Sequence, residues 1–173
     1  MKRFAAALAF CLVAAAHAAP PALPASVVAE VPALKALGDA RFRFFLIHVY
    51  DASLWTTGEK YDPATSSVLD IRYAMDVRGA DLAKRSIEEM RKLGHTDEGK
   101  LARWGREMRR VFPDIRKGDR LVGVYLPGRE ARFYGQDGLI GSVPDGEFAR
   151  AFFDIWLDPR TSEPALRRDL LLE

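Results

Sequence analysis

Cysteine is almost missing from this chain, and with it the residues that would carry a metal. The single cysteine, Cys11, lies in an N-terminal apolar run, and everything after it is free of thiols. Neither a disulfide framework nor a cysteine-bound zinc can therefore hold the fold together; a packed core must do it. After residue 18 only His48 and His95 remain, far apart and with no second histidine or cysteine at ligand spacing. No metal site is expected. No cofactor is expected either, because the chain has no glycine-rich phosphate loop and no Gly-x-Ser-x-Gly elbow. Repeats and low-complexity tracts are absent after Pro32.

What is present begins with an export signature. Lys2 and Arg3 precede an apolar stretch from Phe4 to Ala16, and Ala16-His17-Ala18 places small residues where a signal peptidase reads. The stretch is shorter than the roughly 20 residues a membrane span needs. Residues 1–18 are thus expected to be a signal peptide, and the mature protein to be periplasmic or secreted. Cleavage also removes the basic balance. The 26 Lys and Arg against 24 Asp and Glu fall to parity once Lys2 and Arg3 are gone, so charge gives no support for nucleic-acid binding.

Residues 19–36, rich in proline, alanine and valine, read as an extended N-terminal arm, and residues 37–173 as one domain. Ala40 to Trp55 reads as one strand with a possible bend at Asp51. Thr57 to Ser67 is a loop. Val68 to Val77 alternates as a half-buried strand, with Leu69, Ile71, Tyr73 and Met75 on one face. The period then changes. Gly79 to Leu93 predicts a helix stopped by Gly94, and Thr96 to Phe112 a second one with a basic face of Arg103, Arg106, Arg109 and Arg110. Asp119 to Leu126, Ala131 to Tyr134 and Leu139 to Val143 form a meander separated by Pro127-Gly128 and Gln136-Asp137-Gly138. Two helices follow, from Pro144 and from about Ser162. Strands, two helices, a meander and two helices give an α+β fold: an antiparallel sheet with a layer of helices.

The strand 40–55 opens on two permanent cations. Period two groups Arg41 and Arg43 with Phe45, Ile47 and Val49, and sets Phe42, Phe44, Leu46, His48 and Tyr50 opposite. A guanidinium buried without a partner costs several kcal/mol. Each arginine must therefore reach solvent, pair with an acid such as Asp70 or Glu89, or meet an anionic ligand whose apolar part lies on the strand. His48 is expected to be packed or interfacial. The basic face of the second helix reads as a solvated surface, with contact to an anionic membrane or glycan surface as the alternative.

Several stretches together resemble chalcone isomerase-like proteins. Gly38-Asp39-Ala40-Arg41 with His48-Val49-Tyr50-Asp51-Ala52-Ser53-Leu54-Trp55 resembles their first core strand; Tyr73 to Gly94 the strand and helix that follow; Phe112 to Pro127 their central strand; Gly141 to Leu171 their C-terminal helical pair. The resemblance implies an open-faced β-sandwich with a cleft between sheet and helices. In true isomerases of this fold a strand arginine stabilises an enolate, which needs such electrostatic help. Arg41 is the nearest match to it, with Arg43 a rival. Leu82 stands where the family's tyrosine belongs, Arg85 near a lysine, Glu89 near an asparagine, and Phe45 in place of a strand threonine. Other members bind fatty acids without turnover, using the strand arginine. The leading expectation is therefore non-catalytic binding of a small amphipathic anion such as a fatty acid, by Arg41, Arg43, Tyr50, Tyr73 and Arg85. A cofactor-independent isomerase or intramolecular lyase acting on an enone, and an envelope interaction protein without a small ligand, remain open.

Overall fold

The apolar stretch that opens the domain folds back on itself. In the computed structural model, which describes residues 22–173, residues 40–55 form a hairpin: β1 (Lys35–Phe44) and β2 (Ile47–Thr56) pair antiparallel around Phe45-Leu46. The expected single strand is corrected here. The turn carries none of the residues that usually mark one, and Phe45 takes φ 53°, a region glycine enters at no steric cost. The predicted signal peptide lies outside the described residues.

Four further strands complete the sheet, the last three as a meander. β3 (Ser67–Tyr73), β4 (Arg120–Leu126), β5 (Glu130–Gly135) and β6 (Gly138–Val143) follow β1 and β2 in sequential order, all neighbours antiparallel. Four helices cover one face: α2 (Gly79–Lys92), α3 (Glu98–Val111), α4 (Gly146–Leu157) and α5 (Pro164–Leu171). Here α1 denotes Ala25–Glu30, described below. The helix starts follow local chemistry. Asp97 accepts from the Lys100 amide and Asp145 from the amides of Glu147 and Phe148, so each caps donors that the first turn leaves unpaired. Pro164 opens α5, where its missing N–H costs nothing.

The main core lies between sheet and helices. Phe148, Phe152, Phe153 and Trp156 of α4 pack with Phe112 and Phe133 in a chain of mostly edge-to-face and tilted rings, with Phe148 stacked on Phe152. Truncating fully buried Phe153 to alanine removes contacts worth about 3–5 kcal/mol.

The other face is covered too. The predicted extended arm contains the short helix α1, whose Val27 and nearby Leu23 and Val31 are buried against Val68, Val122, Val124 and Leu126. The half-buried β3 of the sequence reading is consequently a strand covered on both sides. Asp70, 1% exposed, survives there because Arg120 grips it bidentately, Nε to Oδ1 2.6 Å and Nη2 to Oδ2 2.7 Å. Arg120 also donates to the Ala22 carbonyl, tying the N-terminal segment down.

One glycine is required by this packing. A Cβ on Gly38 would stand 2.5 Å from the Asp169 carbonyl oxygen and 2.6 Å from that of Leu170. α5 therefore lies directly on β1, and the glycine that opens the family-like stretch is the reason it can.

Candidate functional site

Helix α2 packs on α3 and α4 rather than down onto the strands beneath it. The space left between α2 and β1–β3 is a cavity of about 520 Å3, inside the range of about 300–1,000 Å3 usual for small-molecule sites. The strands contribute Phe42, Phe44, Val49, Tyr50 and Tyr73, and the segment after β3 adds Met75 and Val77. α2 supplies Leu82, Arg85, Ser86 and Glu89; α4 supplies Ile155 and Trp156; the approach to α5 supplies Ser162 and Glu163. The wall is mostly hydrocarbon and aromatic. Phe42 stacks on Tyr50 at 5.0 Å, and Tyr50 meets Tyr73 edge-on at 5.9 Å. Lining residues that also reach solvent (Phe44, Met75, Asp81 and Arg85) mark its mouth.

The strand arginines are not part of it. Arg41 and Arg43 project from the outer face, and this corrects the expectation that they sit at the cleft. Arg41 Nε donates to Asp51 Oδ1 at 2.6 Å, a contact that holds its guanidinium pKa above the ordinary arginine value. Arg43 is exposed and, among the described residues, forms no ion pair. A bulge alters the faces of β2 opposite the two arginines. The pairing shifts between Phe42↔Tyr50 and Arg43↔His48, leaving Val49 as an extra residue. Val49 and Tyr50 then both line the cavity, while His48 turns outward with its Nε2 3.2 Å from Asp51. That contact does not meet hydrogen-bond geometry, and His48 Nε2 has no hydrogen-bond partner among the described residues. The suggested partners go elsewhere: Asp70 to Arg120, and Glu89 to Arg85 and Lys92 of α2 and to Ser162.

Tyr50, Tyr73 and Arg85 do come together in the cavity. Burial pushes both phenol pKa values well above the ordinary tyrosine range, so each hydroxyl keeps its proton. The Tyr50 oxygen accepts from Trp156 Nε1 at 3.0 Å. No hydrogen bond engages the Tyr73 hydroxyl among the described residues, which leaves it a free donor toward the cavity. Arg85 Nη2 lies 2.6 Å from Glu89 Oε1 and its Nη1 3.7 Å from Glu88. Glu89 is itself buried. Burial alone would raise its carboxyl, but Ser162 and Lys92 donate to it at 2.6 and 2.9 Å, and the charges of Arg85 and Lys92 add to them. Together they hold it below the usual glutamate value. The lining thus contains one guanidinium against the three carboxylates of Asp81, Glu89 and Glu163.

Sequence reasoning missed Trp156, Ser162 and Phe42 as site residues. The apolar spacing of α4 assigns Trp156 to the core, which is also where it is; it lines the cavity as well and donates its indole N–H to Tyr50 there. The α3 arginines form a partly paired solvent face: Arg110 binds Glu107 and the Ser142 carbonyl, and Arg103 lies 3.6 Å from Asp145.

A six-stranded antiparallel sheet under a helical layer, with an apolar cleft between them, is the architecture expected from the resemblance. The match to the chalcone isomerase-like family extends over residues 19–172, and the chain belongs to that family. Among solved structures it is similar to the Arabidopsis thaliana fatty-acid binding protein, at 15% identity and a TM-score of 0.63, over 86% of this chain and 90% of that one. At this identity the likeness speaks for the fold. No curated protein matches the chain.

Proposed function

We propose that this protein binds, without turnover, a small molecule with a long apolar body and a polar end, and that fatty acids are its first ligand class. The observation that carries the reading is an apolar cavity with Arg85 at its mouth. A hydrocarbon chain lying against Phe42, Val49, Leu82 and Ile155 would be removed from water, worth about 25 cal/mol per Å2 buried. A carboxylate at the mouth would meet Arg85, while Glu89 keeps Ser162 and Lys92 as partners. The fatty-acid binding neighbour of the same fold agrees with this class.

Several features favour binding over catalysis. The enolate-stabilising arginine implied by the resemblance would be Arg41, which faces away from the cavity and is engaged by Asp51. Leu82 lines the site in place of a phenol. The two tyrosines present are protonated donors and cannot serve as bases near neutral pH.

A second reading rests on the three carboxylates in the lining: the guest is an uncharged amphipath such as a long-chain alcohol or a monoacylglycerol. Displacement of an apolar fluorophore by hexadecanoate and by hexadecanol separates the two. Stronger displacement by hexadecanoate that weakens in Arg85→Gln supports the acid; preference for hexadecanol supports the neutral guest. Failure of both, with no rise in melting temperature, contradicts binding. We further propose that the protein acts after export, in the periplasm or outside the cell, on the basis of the basic and apolar pattern of residues 1–18.

A further inference from the structure

The turn between β1 and β2 exposes four consecutive large apolar side chains. Phe44 is 55% exposed, Phe45 85%, Leu46 95% and Ile47 58%. A hairpin tip in water is ordinarily polar, built from glycine, asparagine or aspartate. Here the chain instead carries an aromatic residue at φ 53°, a conformation that costs a non-glycine residue about 1 kcal/mol. Phe44 and Phe45 pack edge-to-face at 4.8 Å, so the tip is a formed apolar knob. Two further features identify what it meets. Arg43, exposed and without an ion pair among the described residues, stands beside it on the outer face, with Arg41 two residues behind. Phe44 and the exposed Met75 both line the cavity mouth.

We infer that the Phe44–Ile47 tip is a membrane-docking element that sinks into the interfacial layer of a bilayer containing anionic lipid. The apolar side chains enter the boundary between headgroups and acyl chains, Arg43 meets lipid phosphate, and the cavity mouth is brought against the membrane. An apolar surface with basic residues at its edge is the pattern that binds such interfaces, and each cation near an anionic surface strengthens the attachment. This places membrane contact on the hairpin rather than on the basic face of α3. It stands independently of what the cavity holds, because Phe45 and Leu46 do not line it.

Vesicle co-sedimentation of the full mature chain tests the inference. The vesicles are phosphatidylcholine alone, and phosphatidylcholine with phosphatidylglycerol in equal parts. The unmodified protein is expected to bind the anionic vesicles more tightly, with Arg43→Gln narrowing that preference. Phe45→Gly and Leu46→Ser together are expected to weaken binding by about tenfold or more. Phe45→Gly relieves the left-handed strain, and a melting temperature equal to that of the unmodified protein shows that lost vesicle binding does not come from unfolding. Hexadecanoate displacement in solution stays unchanged in it, which separates this inference from the cavity reading. Absence of vesicle binding by the unmodified protein overturns the inference, as does equal binding by the tip variant. Self-association through the tip, detected by sedimentation and abolished by the same substitutions while vesicles are ignored, also overturns it.

Discussion

Arg85 and Glu89 lie one turn apart on α2 and meet at 2.6 Å on the wall of the cavity. The guanidinium is about half exposed, whereas the carboxylate is buried and holds two further donors, Lys92 and Ser162. Arg85 can therefore turn to a guest without leaving Glu89 unpartnered. Arg85→Gln should lower affinity for hexadecanoate by about tenfold or more while leaving that for hexadecanol unchanged, as read by fluorophore displacement.

The Glu89 carboxyl is held below its ordinary value of 4.5. A depressed carboxyl stabilises the fold fully above its unfolded-state pKa and loses that contribution as pH falls through the folded one. Glu89→Gln is thus expected to cost about 1 kcal/mol near neutral pH, reduced by the exposure of Arg85 and Lys92. The gap to the unmodified protein should narrow as pH falls below 4.5 and close once it passes the depressed folded-state value. Urea unfolding at several pH values measures it.

The two cavity tyrosines should separate stability from binding. Tyr50→Phe leaves the buried Trp156 indole N–H without its acceptor and should cost about 1–3 kcal/mol. Tyr73→Phe breaks no hydrogen bond within the described residues. It should leave the denaturation midpoint nearly unchanged and act only on ligand affinity.

Asp70 and Arg120 form a buried, bidentate pair on the outer face of the sheet. Removing either partner alone strands a charge and should cost about 3–5 kcal/mol. Replacing both, Asp70→Leu with Arg120→Met, should cost clearly less than the sum of the single changes. Denaturant unfolding in a double-mutant cycle provides the comparison.

Gly38→Ala should destabilise by more than the usual surface change. Its new Cβ would strike the backbone oxygens of Asp169 and Leu170 and lift α5 from β1. A lowered melting temperature with loss of ligand binding is the expected pair of results, because α5 carries Leu166 of the cavity wall.

Much of this architecture was legible in residue patterning. The periodicity of α2, α3 and α4, the Pro-Gly and Asp-Gly turns of the meander, and the helix stop at Gly94 all correspond to observed elements. The first hairpin was not, because Phe45-Leu46 lacks turn chemistry and the extra residue Val49 inverts which side chains share a face. Arg41 and Arg43 read as cleft residues because the resemblance and the apolar strand around them put them there, whereas they share the face of β1 opposite the cavity-lining Phe42 and Phe44. α1 was hidden for a related reason. Six residues after Pro24 carry too little periodicity to announce a helix, and its place is fixed by Val68, Val122 and Val124 across the sheet. Arg85, Tyr50 and Tyr73 were named, but their convergence depends on α2 standing off the strands, a tertiary fact that no local pattern encodes.

Native mass spectrometry of the protein, purified without denaturation and set beside a Leu82→Trp variant that fills the cavity, tests the central claim most directly. The account predicts a bound long-chain lipid on the unmodified protein and none on the variant. A bare unmodified protein, with a melting temperature that neither hexadecanoate nor hexadecanol raises, would contradict it.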